Sequence, residues 1–119
     1  MKPEQNLRLI KYLYDALLAA EEVDTYKEVS LGNFKYNTVK WIVERGIEII
    51  SEALKRALII EPNLPITDLN KIFATRNKIA HEYDLVDPYQ IYSIVKKNIP
   101  ILIEELKKYI DKLENNKEN

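Results

Sequence analysis

At 119 residues, with 46% apolar and 31% charged side chains, the chain suffices for one compact domain and is too short for two ordinary ones. Its only glycines, Gly32 and Gly46, leave no glycine-rich phosphate loop or dinucleotide turn, and the lack of cysteine beside a single histidine, His81, excludes thiol catalysis, disulfides and a Cys/His zinc site within one chain. With 18 Lys and Arg against 19 Asp and Glu, the net charge is −1, so RNA would be held by a local patch and not by the field of the whole molecule, and no DNA partner is expected.

Apolar residues recur at three- and four-residue steps with no sustained two-residue alternation, which predicts an all-α fold. The first helix starts near Pro3, carries Leu7, Ile10, Leu13, Tyr14, Leu17 and Leu18 on one stripe, and ends around Glu22. Thr25 and Glu28 have capping-box spacing, which suggests a short extra helix from Thr25 to Leu31 before a turn at Gly32 and Asn33. A long second helix runs from about Phe34 or Asn37 to Ile60. It turns Val39, Ile42, Val43, Gly46, Ile49, Ile50, Ala53 and Ala57 inward, with Gly46 admitting a close neighbouring helix.

Pro62 and Pro65 break the chain, and Thr67 or Asp68 can cap a third helix bearing Leu69, Ile72, Phe73, Ile79 and Ala80. Asp87-Pro88-Tyr89-Gln90 places a capping acid, a first-turn proline and a capping-box glutamine in order at the start of a fourth helix. The core stripe of that helix is Tyr92, Val95, Ile99, Leu102, Leu106, Tyr109 and Leu113, and Pro100 should kink it. Short connections favour an up-and-down four-helix bundle over residues 1–113, followed by a disordered polar tail at 114–119. No apolar signal-peptide core and no run near the ~20 residues of a membrane span are present, so a soluble, cytoplasmic protein away from membranes is expected.

Residues 76–83 read Arg76-Asn77-Lys78-Ile79-Ala80-His81-Glu82-Tyr83 on the third helix. Asn77 and His81 stand four apart and so share a helix face, Arg76 adjoins it with a fork suited to phosphate, and His81 can exchange a proton near neutral pH. Cleaving RNA without a metal needs a base for the ribose 2′-OH, a cation for the phosphate and an acid for the leaving oxygen. One chain holds one histidine, so a dimer facing two third helices into one cleft would supply base and acid separately.

The Arg-x4-His-x-Tyr pattern on the third helix of a small helical domain resembles the HepT-like branch of the HEPN superfamily. The likeness extends over Val39 to Tyr109: a long helix containing Ile49-Ile50-Ser51-Glu52-Ala53, a proline-bearing loop, the motif and then Asp87-Pro88. The resemblance implies a metal-independent endoribonuclease toxin acting as a homodimer or higher oligomer, with neither metal nor other cofactor, and tRNA as one implied substrate. It implies a separately encoded MntA-like nucleotidyltransferase antitoxin. It assigns Arg76 and His81 as the catalytic pair, Asn77 as their support, and Tyr83 as the hydroxyl that the antitoxin modifies with AMP, which would block the cleft and repel RNA phosphate.

Other readings of the same residues stand beside this one. Arg76 could pair with Glu48 or Glu52, His81 could bond a carbonyl, and Tyr83 could cover the helix end. Lys71 and Lys78, with Lys96 and Lys97, could line an RNA path or merely solvate helix faces. Tyr89 is a stacking candidate, whereas Tyr92 falls on the core stripe. From another class comes a non-catalytic helical module that binds substrate for a separate nucleotidyltransferase, and a plain dimerisation domain is a third reading.

Overall fold

The computed structural model describes residues 1–30, 32–33, 38–81 and 87–116, and these are helical apart from turns and the connections. Among the described residues the α-helices with both ends placed are, in chain order, α1 (Pro3–Asp24), α2 (Thr38–Ile60), α3 (Leu69–His81), α4 (Pro88–Ser93) and α5 (Ile99–Asn116), and residues 32–33, where a turn was expected, are also helical. A π-helical turn, Ile94–Asn98, joins α4 to α5, so the last two make one long fourth rod. The four rods form a helical bundle in which α1 packs against both α2 and α5 and α3 packs on α2. Among the described residues no helix is long and apolar enough to cross a membrane.

The core is continuous across these helices. Leu9, Leu13, Ala16, Leu17, Ala20 and Val23 of α1 meet Val43, Ile47, Ile50, Leu54 and Ala57 of α2 and Ile99, Leu102, Leu106 and Ile110 of the last rod. The expected stripe of α1 is therefore rotated: Leu13 and Leu17 are buried, but Leu7, Tyr14 and Leu18 are exposed. On α2, Ile42 and Ile49 likewise face solvent while Ile47 and Leu54 are inside, and Ala80 of α3 is exposed. Both long helices carry apolar residues around much of their circumference, so period alone did not set the buried face. Gly46 has the expected packing role, since a Cβ there would collide with Val23 Cγ2.

Local hydrogen bonding corrects four further expectations. Thr25 does not open an extra helix: its hydroxyl donates back to the Glu22 carbonyl at 2.7 Å, ending α1, and residues 25–29 form a run of turns. Thr67 does not cap α3 with its side chain, because its N–H and hydroxyl both donate to Glu105 of α5, the hydroxyl at 2.6 Å. Asp68 starts α3 through its carbonyl, while its carboxylate accepts from buried Asn98 at 2.9 Å. At α4 the Asp87 carboxylate does accept from the Tyr89 N–H at 2.9 Å, but Gln90 reaches Lys78 at 3.4 Å instead of closing a capping box.

The disturbance expected at Pro100 takes the form of the π turn just before it, where the Ile99 N–H donates to the Ile94 carbonyl five residues back. Widening the turn accommodates a ring that would otherwise press on the carbonyl four residues earlier. Downstream, α5 continues through Asn116, past the boundary expected at Leu113, and Tyr14 of α1 donates to Glu114 at 2.7 Å. That cross-helix bond is what a purely compositional reading of a polar end leaves out.

Candidate functional site

The start of α3 is tied to the last rod through Glu105 and Asn98, its flank meets α2 where Lys55 Nζ lies 5.6 Å from the Phe73 ring, and its inner face buries Ile72 and Ile79. The rest of the helix is open. Asn77 and His81 are both exposed and lie one turn apart on the face turned away from the bundle. Arg76 is half-buried. Five residues along an α-helix turn through about 140°, so one continuous helix aims Arg76 and His81 in different directions. Arg76 makes no ion pair with Glu48 or Glu52, which are held on their own helix by Arg45 and Arg56, each at 3.2 Å.

Lys71 and Lys78 do come together with other groups. They line a cavity of about 330 Å3 between α3 and α4, with Ala74, Thr75, Tyr89, Gln90, Ser93 and Ile94. Among the described residues no carboxylate is in that lining, and its Tyr89 is exposed. Lys97 is exposed outside it, and Lys96 lies over the Tyr92 ring, 5.6 Å from its centre, so neither extends the cavity. Tyr83, the expected modification site, lies outside the described residues, as do its neighbours Glu82 and Asp84. Among the described residues, no three His, Asp or Glu side chains cluster as a metal ion would need.

Two residues of interest were absent from the candidates. Trp41, the only tryptophan, is 60% exposed and walls a second cavity of about 430 Å3 with Glu44, Arg45 and Glu48 of α2 and Ile79 of α3. Glu44 is buried in that wall. The available signal was that Trp41 fell outside the apolar stripe of its helix, leaving a large ring with no core position to fill.

The chain is similar to three proteins of Methanocaldococcus jannaschii. "Putative RNase MJ1216" is 29% identical over 111 residues, covering 91% of this chain and 92% of that protein. "Putative RNase MJ0125" is 29% identical over 106 residues, covering 87% and 91%, and "Putative RNase MJ1380" is 28% identical over 98 residues, covering 80% and 90%. No solved structure matches the chain. Residues 16–109, which hold most of the core of the bundle and the whole of α3, match the protein family described as Ribonuclease HepT-like. By that match the chain belongs to the HepT-like ribonuclease family.

Proposed function

We propose that the protein is a metal-independent endoribonuclease toxin whose site forms between two copies of α3. The observation that carries this reading is the exposure of Asn77 and His81 on one open helix face in a member of a ribonuclease family. Neither residue contributes to the buried core, so packing does not account for that pair. The divergence of Arg76 and His81 on one helix supports a composite site, since a second copy can bring its own Arg76 toward the first copy's His81.

In this mechanism one His81 takes the proton of a ribose 2′-OH, and the 2′ oxygen attacks the adjacent phosphorus. The bond from phosphorus to the 5′ oxygen breaks, the second His81 protonates that oxygen, and the products end in a 2′,3′-cyclic phosphate and a 5′-OH. Arg76 balances the charge on the phosphate, and Asn77 orients the imidazole one turn away. Lys71 and Lys78 hold flanking phosphates in the α3–α4 cavity. A separately encoded MntA-like nucleotidyltransferase silences the toxin: the Tyr83 hydroxyl attacks the α-phosphorus of ATP, pyrophosphate leaves, and AMP stays on the ring.

The test is incubation with total cellular RNA in excess chelator, beside His81→Ala prepared identically. Cleavage by the wild-type protein alone supports the reading. Intact RNA in both tubes, from protein shown unmodified by mass, turns the assignment to the non-catalytic binding module. AMP transfer is checked by mass spectrometry after mixing with the nucleotidyltransferase and ATP, where the added AMP should vanish in Tyr83→Phe.

A further inference from the structure

We infer that the cavity under Trp41 receives one unpaired base of the RNA, a base bearing an exocyclic amino group, and so sets a sequence preference beside the cleaved bond. The inference rests on the ribonuclease reading and adds a subsite to it. Trp41 presents a large aromatic face to solvent at the head of α2, and single-stranded nucleic acid is held by stacking of bases on such faces. The cavity it walls runs between α2 and α3, and Ile79 on the α3 side follows Arg76 by about one turn. A base stacked on Trp41 therefore leads its attached phosphate toward the Arg76 side of the motif.

Glu44 supplies the chemical discrimination. It is only 5% exposed, and Lys40 occupies one carboxylate oxygen, Oε1, at 3.0 Å. The other, Oε2, is buried with no hydrogen-bond partner. A buried acceptor without a donor is costly, and in a cavity wall it is the group a ligand N–H can satisfy after a small turn of the carboxylate. Adenine, cytosine and guanine each carry an exocyclic amino group that can donate there. Uracil offers an N–H flanked by two carbonyls, which would confront the same oxygen. Glu48, the other acid of the wall, is already held by Arg45 at 3.2 Å. The two cavities beside α3 thus differ in kind: lysines and hydroxyls toward α4, an aromatic face and an unfilled acceptor toward α2.

Because Trp41 is the sole tryptophan, its emission reports on this cavity directly. The experiment titrates His81→Ala protein, which leaves RNA uncut, with end-labelled single-stranded oligomers of A, C or U, following label anisotropy and tryptophan emission together. The inference expects quenched emission, with A and C bound about fivefold more tightly than U. Trp41→Ala should weaken binding of A and C about tenfold with helical circular dichroism intact. In Glu44→Gln, Lys40 keeps the amide oxygen and the amide NH2 faces the cavity, so the preference should level or turn toward U. Bound oligomers with unmoved emission, or equal binding of A, C and U, overturn the inference and leave RNA binding standing. Trp41→Ala that loses self-association while binding RNA as before overturns it in favour of a second copy covering the ring. Failure of every oligomer to raise the anisotropy removes the ribonuclease reading and this subsite with it.

Discussion

The pair formed by α1 and α2 and the single helix α3 solve opposite problems. Six residues of α1 are buried, and at Gly46 the two long helices approach so closely that a methyl group would strike Val23. From α3 only Ile72 and Ile79 are buried, and Asn77, Ala80 and His81 are open to solvent. Packing leaves little room in the first pair, where the buried side chains of the two helices meet directly. The outer face of α3 is held in place from behind and carries almost no packing duty, so its residues can be selected for chemistry.

The sharpest separation of the two regions comes from His81→Ala. RNA cleavage should fall by about a hundredfold or more with the thermal midpoint unchanged. Measuring both on one preparation breaks the comparison if the midpoint drops with activity. In the scaffold, Leu13→Ala should cost about 2–5 kcal/mol by urea unfolding, because Leu13 is fully buried among α1 and its partners. Gly46→Ala is expected to cost about 1–2 kcal/mol, overpacking against Val23 exceeding the gain in helix propensity. Adding Val23→Ala to Gly46→Ala should remove the overpacking part, which a double-mutant cycle reads directly.

The smallest effect is a pH dependence in the scaffold. Burial, and then the Glu61 carboxylate, raise the Tyr109 hydroxyl above the ordinary tyrosine value. A raised folded value means that Tyr109 contributes fully below the unfolded pKa near ~10 and that this contribution is lost as pH rises through the folded one. Stability should therefore decline above about pH 10, and Tyr109→Phe should flatten that part of the denaturation profile. An unchanged alkaline slope in the variant would assign the decline to other groups.

Several features were legible from local chemistry. The proline and acid at Asp87-Pro88 start α4 as read, because a carboxylate accepting from the N–H two residues on needs nothing beyond its own turn. Gly46 was readable as a close approach because a glycine inside an apolar stripe has few other uses. The motif was legible as a string, and the family match agrees with the resemblance it carried. What those residues do was not legible in the same way: Asn77 and His81 share a face as spacing requires, whereas Arg76 is half-buried and Tyr83 falls outside the described residues.

The sequence by itself determined the helical period, the breaks at proline, the number of rods and the placement of the motif on the third of them. These depend on backbone conformations and contacts within a turn or two. Only the tertiary structure decided which face of α1 is buried, because Leu7, Leu13 and Leu18 look alike until α2 and α5 close over one side. It also decided that Thr67 and Asp68 bond across to Glu105 and Asn98, and that Trp41 and Glu44 wall a cavity with Ile79. Each of those outcomes joins residues tens of positions apart, where the partner and not the local chain chooses the geometry.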